Sequence, residues 1–96
     1  MEGIKLTTES GFECTVRENA MNDMRILDAL IKVESSKVDY GTKVVKLTYI
    51  LDTLLGEDQT EDLYDFVAER EGQAKIESVF AILKEIFSAV NEGKKK

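Results

Sequence analysis

Carboxylates are the only abundant side chains in this sequence able to move protons or hold a cation, and their densest run is Glu57, Asp58, Gln59, Thr60, Glu61 and Asp62. A calcium loop needs oxygen ligands at alternating positions, a mid-loop glycine and a terminal Glu. The run lacks that pattern and reads as the solvated first turn of a helix, where acids oppose the positive end of the dipole. Histidine is absent and Cys14 is the single cysteine. That removes His-based acid–base catalysis, Cys–His dyads, zinc sites of the usual ligand types and an internal disulfide. Cys14 alternates with Phe12 and Val16, which predicts a small buried residue rather than a nucleophile. Ser35 and Ser36 lie in a predicted loop and Ser78 mid-helix, so no serine stands in the Asp-Ser-Leu setting that a carrier protein needs. No two glycines are close enough to cradle a phosphate. The expectation is a protein that is not an enzyme and takes no metal or other cofactor.

The elements that position these residues must share one core, because 96 residues form a single domain that buries roughly 60–65% of its unfolded surface. Thirteen Lys and Arg against nineteen Asp and Glu leave a net charge of −6, which works against nucleic acid or an anionic membrane as partner and favours a protein. No apolar run approaches the roughly 20 residues of a membrane span, and the start of the chain lacks a signal-peptide pattern. With one cysteine, a reducing compartment suits the chain.

Proline is missing, so the six glycines punctuate. Ile4 and Leu6, then Phe12, Cys14 and Val16, alternate with polar residues and predict two strands joined through Glu9, Ser10 and Gly11. The period then changes to 3.6. A first helix is predicted from about Asn22 to Val33, with Met21, Met24, Leu27, Leu30 and Ile31 inward. After a loop from Glu34 to Tyr40, Thr42 caps a second helix with the stripe Val44, Leu47, Leu51, Leu54 and Leu55. Gly56 ends it, Asp58 caps a third helix with Leu63, Phe66 and Val67 inward, and Gly72 closes that one. A last helix from about Lys75 to Asn91 carries Ile76, Val79, Phe80, Leu83, Ile86, Phe87 and Val90, and ends at Gly93. The predicted fold is mainly α: an N-terminal β-hairpin, lying on helices one and four, followed by about four helices in a small compact bundle. Residues 1–93 form the domain and residues 94–96 a basic tail.

These stripes leave apolar residues over. On the first helix Ile26, Ala29 and Val33 fall away from the assumed core face, and on the second Val45 and Tyr49 lie one turn apart off the leucine face. Tyr64 is an isolated case. Either the hairpin or the loop before Gly41 covers these residues, or Ile26, Val33, Val45 and Tyr49 form a contact surface for a protein partner or a second copy in a homo-oligomer.

Several landmarks also run in order through almost the whole chain: Gly11-Phe12-Glu13 after a short strand, Asn22-Asp23-Met24 at a helix start, Leu54-Leu55-Gly56-Glu57-Asp58-Gln59 after a lysine-led aliphatic helix, Leu63-Tyr64, Glu71-Gly72, and Glu85-Ile86-Phe87 in the closing helix. In that order the chain resembles the small tail assembly chaperones of long-tailed phages and prophages of Gram-positive bacteria. It departs from them in having no proline near the junction of the first two helices or after the third. The resemblance implies a protein of the host bacterial cytoplasm that binds the tape measure protein, keeps it soluble while the tail tube assembles, and is absent from the mature virion. It further implies that the adenine-rich codons of Lys94, Lys95 and Lys96 could serve ribosomal slippage, giving a longer frameshifted form able to contact the tail tube protein. The alternative is a small acidic protein-binding regulator, antitoxin-like or a DNA-mimic inhibitor. Such a protein should gather its carboxylates on one face, whereas along this sequence acids and bases look interspersed.

Overall fold

The computed structural model describes residues 3–94, so Lys95 and Lys96 of the expected tail lie outside the described residues. Strand β1 (Gly3–Thr7) pairs antiparallel with β2 (Glu13–Arg17), Leu6 opposite Cys14 and Ile4 opposite Val16. A 3-10 turn (Glu18–Asn22) leads to α1 (Met24–Glu34), α2 (Tyr40–Glu71) and α3 (Ile76–Lys94). The protein is therefore mainly helical behind an N-terminal hairpin, with three α-helices where about four were expected.

The expected second and third helices run together as α2. Gly56, with φ 83° and ψ 163°, is not helical, so α2 consists of two helical segments meeting at a kink, at the glycine where the sequence placed a boundary. Side chains take up the carbonyls freed by the bend: Gln59 Nε2 donates to the Leu55 carbonyl at 2.8 Å and Thr60 Oγ1 to the Gly56 carbonyl at 2.9 Å. These two bonds satisfy carbonyls that the bend takes out of the helical ladder. Gly72 does close the helix as expected, in the left-handed conformation with its N–H on the Ala68 carbonyl.

Two other boundaries differ from expectation for similar reasons. Asp39, not Thr42, caps α2: its carboxylate accepts from the Thr42 N–H at 3.1 Å and the Thr42 hydroxyl at 2.7 Å, bonds that hold its pKa below the usual carboxylate value. Gly93 does not stop α3, which includes Lys94.

Bent α2 is the hub, touching the hairpin, the 3-10 turn, α1 and α3. β1 lies on α3, the expected fourth helix, while β2 lies on α2 rather than on the first helix, which packs on α2 instead. A lone two-stranded hairpin is marginal in water, so these anchors matter. Phe12 packs its ring on Phe66 at 5.4 Å. At the tip, the Ser10 N–H and hydroxyl both donate to the Glu85 carboxylate (3.0 and 2.8 Å), and Arg70, lying over the Phe66 ring, donates to the Ser10 carbonyl. Along the outer edge of β2, the Gln59 amide acts as a one-residue third strand: it accepts from the Thr15 N–H and donates to the Thr15 carbonyl, each at 2.7 Å. That edge is closed to further pairing at Thr15.

The core gathers Phe12, Cys14 and Val16 from the hairpin with Leu47, Ile50, Leu51, Leu54, Leu63 and Val67 from α2. From α3 it takes Val79, Leu83, Ile86 and Val90, with Ile76, Phe80 and Phe87 packed against them, as the stripe predicted. Cys14 is buried as expected, and desolvation raises its pKa to about 11. Since the thiolate is the reactive form, iodoacetamide at pH 8 should leave the folded protein unmodified on a timescale over which urea-unfolded protein is fully alkylated. Comparable rates in both states would put the thiol in solvent. The sign for stability follows: a thiol pKa raised by folding contributes stability that is complete below the unfolded value near 9 and is lost as pH rises towards 11.

Candidate interaction surface

Glu57, Asp58, Glu61 and Asp62 all face solvent, and among the described residues no three His, Cys, Asp or Glu side chains are arranged to hold a metal ion. A depression of about 460 Å³, lined by Lys5, Glu13, Cys14, Thr15 and Gln59 among others, contains a protonated thiol and an amide already bonded to β2. It offers no nucleophile with a base beside it. What the molecule does display is apolar surface.

Four residues were expected to form that surface, and the structure divides them. Val45 is 63% exposed and Tyr49 is also exposed, both on the outer side of α2. Ile26 and Val33 are 0% and 7% exposed and belong to the core, which corrects their assignment to a contact surface. The opposite side of α1 takes their place: Met24 and Ile31, expected inward, are 69% and 65% exposed, with Leu27 half-buried between them.

Counting from Met21 carries the helical phase across a break, because Met21 belongs to the 3-10 turn; its own side chain lies outside the described residues. α1 starts afresh after Asp23, whose carboxylate accepts from the Arg25 N–H at 2.8 Å. With the phase set there, Ile26, Ala29, Leu30 and Val33 make an i, i+3, i+4, i+7 stripe on α2, and Met24, Leu27 and Ile31 make a second stripe facing away. Both stripes are regular within α1, and docking on α2 chooses between them.

The exposed surface therefore has two ridges. Met24, Leu27 and Ile31 form one on α1; Val45 and Tyr49 form the other on α2. A cleft of about 410 Å³ lined by Arg25, Asp28, Lys46, Val45 and Tyr49 lies between the helices. Asp28 is bonded to Lys32 at 2.9 Å, which lowers its carboxyl pKa, with Lys46 adding to the effect. Beyond the second ridge an apolar groove of about 300 Å³ runs between Tyr40, Val44, Thr48, Tyr64, Ile76 and Val79, with exposed Tyr40 on it. Desolvation in this half-buried setting, with Asp52 and Glu61 nearby, raises the pKa of Tyr64. No family model, curated protein or solved structure matches the chain. Function must be argued from this surface.

Ridge residues should be dispensable for folding. Val45→Ser should shift stability by about 0.5 kcal/mol, as exposed sites do, and Tyr49→Ser, at a side chain 38% exposed, by roughly 1–2 kcal/mol. A loss of several kcal/mol on urea unfolding of the double variant would instead make both residues core.

Proposed function

We propose that the protein is a non-enzymatic chaperone of phage tail assembly, binding the tape measure protein and keeping it soluble until the tail tube encloses it. The observation that carries this reading is the exposed apolar surface on α1 and the first part of α2. Met24, Ile31, Tyr40, Val45 and Tyr49 are large apolar side chains left in solvent by a chain that has a filled core elsewhere. A monomer gains nothing in stability from them, whereas a protein that holds a hydrophobic client needs them. The landmarks running from Gly11-Phe12-Glu13 to Glu85-Ile86-Phe87 supply the particular client. On this reading the protein acts in the host cytoplasm and is absent from the finished particle.

Co-expression tests it. Tape measure fragments from the same genome, insoluble alone, should become soluble with this protein and co-purify with it, and Val45→Ser/Tyr49→Ser should lower the yield of complex. Fragments that stay insoluble, or a gene lying far from any tail tube and tape measure genes, would remove the reading.

One observation favours the acidic regulator as a second reading. Residues 57–71 carry seven Asp or Glu against Arg70. Glu57, Asp58, Glu61, Asp62, Asp65 and Glu69 are all exposed and fall within one side of the helix at steps of about 100° per residue. The charges that look interspersed along the sequence are thus gathered in space. A DNA mimic would use this face on a basic partner, and polyanions such as heparin would compete with it.

A further inference from the structure

We infer that the ridged face of α1 and α2 binds an amphipathic helix whose apolar stripe is flanked by carboxylates. Residues 24–50 carry five Lys or Arg against three Asp or Glu, a net of +2 in a chain of −6, which leaves −8 on the remainder. The apolar ridges therefore lie in a basic stretch of an acidic protein, bordered by Asp23 and Asp52. Arg25, 84% exposed though 3.8 Å from the Asp23 carboxylate, lines the cleft between the ridges with Lys46 and Asp28. Lys32 adds a third cation on α1, although it is shared with Asp28.

Shape and size agree with a helical occupant. Met24 to Ile31 spans two turns, about 10 Å at 1.5 Å per residue, which matches anchors at i, i+3 or i+4, and i+7 of a partner helix. Such a helix would cover both ridges and bring its flanking Asp or Glu to Arg25 and Lys46, where exposed charges steer encounter and set orientation. A second copy of this chain fits less well. Its acidic face, Glu57 to Glu69 on α2, offers the carboxylates, but only the small, partly buried Ala68 lies among the six exposed acids to cover Met24, Ile31 and Val45. An anionic membrane would suit the basic rim, but the −8 on the rest of the chain repels it.

The inference rests on the reading of the protein as a holder of a client, and the two can fail separately. The test is selection from a displayed library of randomised helical peptides against the whole protein. Enriched peptides should carry apolar residues at i, i+3 or i+4, and i+7, with Asp or Glu beside them. Their affinity should fall by about tenfold or more in Arg25→Glu/Lys46→Glu and again in Met24→Gln/Ile31→Gln, and should weaken as salt is raised. Circular dichroism melts of both variants should match the parent protein. Enrichment of basic or neutral helices, no enrichment, or binding indifferent to both double variants overturns the proposal. So does sedimentation with phosphatidylglycerol vesicles, or self-association abolished by Arg25→Glu/Lys46→Glu. If acidic helices bind this face and tape measure fragments do not bind at all, the client is wrong and the surface stands. If the fragments bind and these variants do not disturb them, the surface is wrong and the client stands.

Discussion

Replacing Ile26 by alanine should lower folding stability by roughly 2–5 kcal/mol, whereas Met24→Ala, two residues away, should change it by about 0.5 kcal/mol. Ile26 is fully buried in the core to which Leu47, Ile50 and Leu51 also belong, and α1 reaches that core through one stripe of four residues. Truncation removes the transfer free energy of three carbons and leaves a cavity that a close-packed interior refills only in part. A domain of this length has about 5–15 kcal/mol in total, so the variant loses a large share of it. Urea unfolding of both variants measures the contrast. Equal and small effects would mean that α1 is loosely docked. A large loss for Met24→Ala with none for Ile26→Ala would rotate α1 by half a turn and hide the proposed binding ridge.

Gly56→Ala should destabilise the protein by about 1–3 kcal/mol, with Gly56→Val at least as costly. In an ordinary helix interior the same change to alanine gains about 1 kcal/mol, so the sign decides the matter. Gly56 has φ 83° and ψ 163°, a region that residues with a Cβ avoid. The cost is in the backbone, because the nearest atom to an added Cβ is the end of the Arg17 side chain at 3.5 Å, an ordinary contact. The variant could relieve the strain by straightening residues 40–71 into one helix, but Gln59 would then leave Thr15 and the seat of β2 would be lost. Hydrogen exchange gives an independent reading: the Thr15 amide should lose protection in Gly56→Ala ahead of core amides of α3. Unchanged protection together with a gain in stability would show a helix without a bend.

The sequence by itself determined the elements whose signals are local. Alternation at Phe12, Cys14 and Val16 specified the inward face of β2, and the long stripe from Ile76 to Val90 specified both α3 and its buried side, since a pattern sustained over four turns admits one phase. Gly72 announced a helix end because a left-handed residue there satisfies the last carbonyls. Composition, with no histidine and one buried cysteine, turned attention from chemistry to surface.

Tertiary structure decided what depended on partners distant in the chain. Whether Gly56 ends a helix or bends one turns on Gln59 and Thr60 capturing the freed carbonyls while Gln59 also holds Thr15, 44 residues away. Which side of α1 is core could not be read from hydrophobicity, because an eleven-residue helix apolar nearly all round has two candidate stripes, and only docking on α2 chooses Ile26 and Val33 over Met24 and Ile31. The same choice made the surface: burying one stripe against α2 left the other in solvent beside Arg25 and Lys46. Periodicity is a property of one helix, whereas burial is a property of two elements in contact, and the second cannot be derived from the first until the neighbour is known.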